Sequence, residues 1–117
     1  MDTLNKELIL KVADEIEAMP HGKYGRKLEV IEPGFNMSQW RREGACGTIC
    51  CIGGHVSPSG WYQGVAEAFN ITEDDAHDLC FPSFRQYYDI TPARAARVLR
   101  HLAHTGKVDW SVASEPA

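Results

Sequence analysis

This chain has no long apolar run, no excess of positive charge and no nucleotide-binding glycine loop, and each absence removes a class of function. Charged residues interrupt every apolar stretch, whereas a bilayer-spanning helix needs about 20 consecutive apolar residues, so no membrane association is expected. The opening residues MDTLNKELILKVADEIEAMP carry acids where an export signal has its basic region, which makes a cytoplasmic location the expectation. With 12 Lys plus Arg against 16 Asp plus Glu, the net charge is −4, so nothing draws the whole molecule toward a polyanion. Nucleic-acid binding would need a local basic face. Neither phosphate loop nor dinucleotide fingerprint is present, and there are no repeats or low-complexity tracts.

A length of 117 residues fits one hydrophobic core. The expected fold is mainly α, a single-domain bundle of four to five short helices over residues 1–110, with a short β segment at 23–32 and a flexible tail at 111–117. Residues 3–19 read as an amphipathic helix capped by Thr3 or Asp2 and ended by Pro20. Its apolar stripe is Leu8, Ile9, Val12, Ala13 and Ile16. In HGKYGRKLEVIEPG, glycines and a proline bracket the β-prone Leu28, Val30 and Ile31. Trp61, Val65, Ala68 and Phe69 sit at helical spacing before Asn70. Thr72 precedes three acids, with Ile71 placed to staple onto Ala76, which marks a helix start. Thr91, Pro92 and Gly106 delimit a last helix whose core face is Ala95, Val98, Leu99, Leu102 and Ala103, and Trp110 is expected to pack back on it.

The chemistry-bearing stretch is CGTICCIGGH, which holds three of the four cysteines. Thr48 is a candidate helix start. On such a helix Cys51 and His55 would face one side, a spacing able to chelate a transition metal such as zinc. Cys46 would be a third ligand and Cys80, His77 or His21 a fourth, with Cys50 as a further candidate. A redox reading would pair Cys46 with Cys50 near a helix N-terminus. The preferred reading is packing, in which Cys50, Cys51 and Ile52 fill a core while Gly53 and Gly54 admit a neighbouring backbone.

Two blocks resemble a family of small, mostly uncharacterised bacterial and phage proteins. The first runs from Phe35, Met37 and Trp40 through Cys46, Gly47, Thr48, Cys50, Ile52 and Gly54. The second comprises Thr91, Pro92, Ala95, Val98, Leu99, Leu102, Thr105, Gly106, Val108, Asp109 and Trp110. The resemblance implies no particular activity.

Between Thr91 and Lys107 the basic residues Arg94, Arg97 and Arg100 have no acid among them, and His101 and His104 extend the same polar side. Arginine on a rigid helix suits carboxylates or phosphates; the competing reading is a solvated face neutralised by nearby acids. Cys46, His55, Asp74, Asp75 and His77 match no reaction template, so an enzyme is not expected. The expected function is a non-enzymatic protein-interaction module, a phage-derived modulator of a host factor, with Tyr87 and Tyr88 adding aromatic surface. The alternatives are a zinc-binding or thiol protein using Cys46 to His55, and a DNA-binding regulator using the last helix.

Overall fold

The computed structural model describes residues 4–27, 29–44, 47–57, 61–82 and 90–114. Among them the chain forms five α-helices and two small sheets. The mainly helical expectation holds, and the β structure extends beyond residues 23–32.

Helix α1 (Lys6–Glu17) buries Ile9, Val12, Ala13 and Ile16, the stripe its periodicity predicts. It is shorter than 3–19, and its cap is Asn5 rather than Thr3 or Asp2, which lie outside the described residues. The Asn5 Oδ1 accepts from Leu8 N–H at 3.2 Å, and the Asn5 backbone N–H donates to Phe69 O at 2.7 Å. That second bond comes from a residue 64 positions away, which is why local spacing pointed elsewhere.

After Pro20, β1 (Lys23–Tyr24) pairs antiparallel with β2 (Val30–Glu32) across a register irregularity. Three further strands, β3 (Gly34–Phe35), β4 (Arg41–Gly44) and β5 (Gly47–Cys50), form a sheet of order β3-β5-β4. In it β5 runs parallel to β3 and antiparallel to β4. A helix starting at Thr48 is therefore corrected: Thr48 and Ile49 are β-branched residues in the central strand, where their side chains pack well on a pleated surface.

One polar side chain is fully buried here. Asn36 donates from Nδ2 to Gly22 O at 2.9 Å, while its Oδ1 accepts from the Ser38 N–H at 2.9 Å and the Ser38 hydroxyl at 2.5 Å. Its backbone N–H reaches Cys50 O, and Tyr24 Oη lies 2.8 Å from Ser38 Oγ. Asn36 thus ties the loop before β1, the segment after β3 and strand β5 together, satisfying groups that would otherwise be stranded.

The remaining helices are α2 (Ile52–Val56), α3 (Trp61–Phe69), α4 (Glu73–Cys80) and α5 (Pro92–Thr105). The α4 and α5 starts follow the sequence reading: Thr72 Oγ1 accepts from Asp75 N–H at 3.1 Å and Thr91 Oγ1 from Arg94 N–H at 3.2 Å. Asn70 ends α3 at φ 54°, and Gly106 ends α5 at φ 76°, a left-handed exit that glycine adopts without strain. Along α5, Ala95, Val98, Leu99, Leu102 and Ala103 are buried, and this face packs mainly on α1. Burying each of its larger aliphatic side chains stabilises the fold by roughly 1.5–3 kcal/mol. Trp110 packs on the core as expected and donates from Nε1 to Asp78 O at 2.9 Å. Of the segment expected as a tail at 111–117, the first part belongs to a 3-10 helix, Trp110–Ser114; residues 115–117 lie outside the described residues.

Candidate functional site

The strand ending at Cys50 hands directly into α2, and Cys51 is the hinge between them. Its backbone is extended, at φ −88° and ψ −173°, and its Sγ accepts from the Gly54 N–H at 3.4 Å in the manner of an N-cap. The thiol also donates to Trp40 O at 3.7 Å, and the Cys51 backbone N–H reaches the same carbonyl at 3.3 Å. Cysteine is not among the usual capping residues, so spacing alone drew attention to Thr48 instead.

This cap separates the two residues placed together for metal binding. Cys51 is 2% exposed and turned inward, whereas the half-buried His55 points to α1, with Nε2 3.0 Å from Glu15 Oε1. The expectation that Cys51 and His55 face one side is corrected on that geometry. Cys46 lies outside the described residues, as does the Cys46–Cys50 pairing. Among the described residues no three potential ligands converge.

Cys50, Cys51 and Cys80 are free and buried. Burial pushes the Cys51 thiol up to about 11, against the smaller opposing pull of the Gly54 and Gly53 N–H groups. Burial likewise pushes Cys80 up to about 12, and raises Cys50 despite the nearby Arg41 charge. A protonated thiol is a poor nucleophile. Iodoacetamide at neutral pH is therefore expected to label these three cysteines only as fast as the protein opens, measured by peptide mass spectrometry; labelling at the rate of a free thiol would overturn this. Cys51→Ser should keep the cap, while Cys51→Ala should lose about 1 kcal/mol in urea unfolding.

Gly53 and Gly54 serve the close approach expected of them. A Cβ on Gly53 would run into the Trp40 ring, and one on Gly54 into the Trp40 carbonyl. The pair therefore lets the ring and the carbonyl of Trp40 come close to α2.

Trp40 contacts Trp61 at 4.4 Å between ring centroids, and Trp61 contacts Phe81 at 5.5 Å. Tyr62 and His77 extend the group, edge-on to each other at 5.1 Å, and His77 lies 4.9 Å from Phe81. Five aromatic side chains from the β4 approach, α3 and α4 thus form one face. Phe81 lies at its centre, and Trp61 is 48% exposed, one of two exposed large apolar side chains among the described residues, with Ile31 the other. The Trp61 backbone stands at φ 56°, a left-handed conformation that is an outlier for a bulky residue. Gly64, one turn on, has no Cβ to meet Ser57, so the chain leaving α2 lies against α3. The signal available in the sequence was the adjacent Trp61 and Tyr62 at a helix start; Tyr87 and Tyr88 lie outside the described residues.

The basic helix face is largely occupied. Arg100 donates to Asp14 Oδ1 at 2.8 Å and to both Glu17 oxygens at 2.9 and 3.0 Å, clamping α5 to α1. Hydrogen bonding and charge from Arg100 hold the Glu17 carboxyl below its usual range. The bridge is thus complete above the ordinary carboxylate pKa and fades as pH falls through the lowered value. Arg97 donates from Nη1 to Val112 O at 3.3 Å. Arg94 and His104 are exposed and His101 is half-buried.

No known protein family matches the chain, and no curated protein or solved structure does either. The functional reading accordingly rests on geometry. Among the described residues no helix is long and apolar enough to cross a membrane.

Proposed function

We propose that this protein is a non-enzymatic interaction module that binds a protein partner through the face formed by Trp40, Trp61, Tyr62, His77 and Phe81. The observation that carries the reading is Trp61, a large ring half in solvent on a strained backbone. Backbone strain gathers at functional sites, and clustered tryptophan and tyrosine dominate protein interfaces. The buried, protonated thiols and the diverging Cys51 and His55 favour this reading over a zinc or thiol protein. Engagement of Arg100 by two α1 acids likewise disfavours the arginine face, and a DNA-binding one, as the main contact. The resemblance to small bacterial and phage proteins supports a phage-derived modulator as the setting, and the free thiols support a cytoplasmic one.

Trp61→Asn tests the proposal, because asparagine tolerates the left-handed backbone while removing the ring. Its unfolding free energy is expected to stay within about 1 kcal/mol of the parent. A photo-cross-linker at Glu73, exposed one helical turn from His77, should capture one discrete bacterial protein, competed by the parent chain and not by Trp61→Asn. Equal competition by both would end the proposal.

A further inference from the structure

We infer that the partner presents a basic, arginine-bearing segment to this aromatic face. The inference rests on the protein-binding reading and names the chemistry that the partner would carry.

The rim of the face is acidic. Residues three and four apart on a helix share one side, so Asp74, His77, Asp78 and Phe81 form a single stripe of α4. His77 and Phe81 belong to the aromatic group, and Asp74 and Asp78 are exposed beside them. Neither carboxylate takes part in an ion pair among the described residues, whereas Asp14 and Glu17 are engaged by Arg100. Asp74 has a second role in the first turn, where the helix dipole favours an acid. Asp78 has none of that support: it stands in the last turn, where the dipole disfavours a carboxylate. Helix stability does not account for it.

A guanidinium fits both parts of this surface. Its plane stacks on an exposed indole, and its fork gives parallel hydrogen bonds to a carboxylate. Lysine supplies charge without the plane. A purely apolar segment would cover the rings while leaving the two carboxylates without a partner. Arg41, the cation adjacent to Trp40 in the chain, directs Nη1 toward Gly54 O at 3.5 Å rather than to these acids. The net charge of −4 acts in the same direction at longer range.

The test uses the full chain and four synthetic glycine-serine peptides, each carrying two copies of arginine, lysine, citrulline or leucine. Binding is followed by indole fluorescence and by amide chemical shifts at Trp61 and along α4. The arginine peptide should bind about threefold more tightly than the lysine one and about tenfold more tightly than the neutral, planar citrulline one. Asp74→Asn with Asp78→Asn should weaken it about fivefold and flatten its salt dependence, while circular dichroism stays unchanged. Asp78→Asn alone should give part of this effect, with the first turn of α4 untouched. Leucine binding at Trp61 as tightly as arginine would overturn the basic partner and leave the protein-binding reading standing. Silence of Trp61 toward every peptide would also overturn it. The cross-link from position 73 then decides whether the broader reading falls too.

Discussion

Asn36→Leu is expected to lower the unfolding free energy by about 2–6 kcal/mol, the sum of stranding a buried carbonyl and a partly buried N–H at roughly 1–3 kcal/mol each. Leucine shares the forked outline of asparagine, but its methyl groups are bulkier, so overpacking adds to the loss. The Gly22 carbonyl loses the Nδ2 donor, and the Ser38 N–H and hydroxyl lose the Oδ1 acceptor. The buried Gly22 carbonyl, facing a side chain with 0% exposure, has no ready water substitute, whereas the part-buried Ser38 hydroxyl keeps Tyr24 Oη as a partner. Urea unfolding at a constant m-value measures the change. A loss below about 1 kcal/mol, the net worth of one ordinary hydrogen bond, would show that the network is dispensable. Asn36→Asp separates donor from acceptor: it keeps the bonds from Ser38 but sets a carboxylate oxygen against the Gly22 carbonyl.

The second large effect is at Gly54. Alanine is the better helix former by about 1 kcal/mol, so on propensity alone Gly54→Ala would stabilise α2. The structure reverses the sign, because the new Cβ would meet the Trp40 carbonyl, which is backbone and already accepts from the Cys51 N–H and thiol. Relief requires moving the strand-to-helix junction itself. A net loss of about 3 kcal/mol is expected, at the upper end of overpacking. Gly53→Ala should lose less than Gly54→Ala, since its Cβ meets the Trp40 ring, a side chain able to tilt toward solvent, although that tilt disturbs the contact with Trp61. Thermal melts of the two variants, read beside indole fluorescence, separate them. Equal destabilisation with unchanged fluorescence would contradict this account.

The features legible in the sequence were those whose physics is local. The Thr72 and Thr91 caps each close a loop of three residues, and the α5 stripe repeats within one helix. What escaped depends on partners far along the chain. Strand β5 owes its conformation to β3 and β4, and Asn5 was missed because its backbone bond reaches Phe69. Cys51 caps α2 with sulfur, an acceptor that pattern rules for oxygen do not anticipate. The aromatic face draws on three separate segments, and each ring taken alone reads as core. In the cysteine stretch, residue types suggested chemistry, but the handover from strand to helix turned one side chain inward and the other toward α1.

The clamp of Arg100 on Asp14 and Glu17 joins residues 86 and 83 positions apart, at the interface where α1 and α5 bury their apolar stripes on each other. During synthesis, α1 leaves the ribosome long before its mate exists. Its apolar stripe must wait, exposed or only loosely covered, while some eighty residues follow. Contacts of such high sequence separation close slowly, because the entropy of a long loop is lost before they form. Helix α1 is therefore completed only when α5 is made, and until then the newborn chain keeps an aggregation-prone stripe.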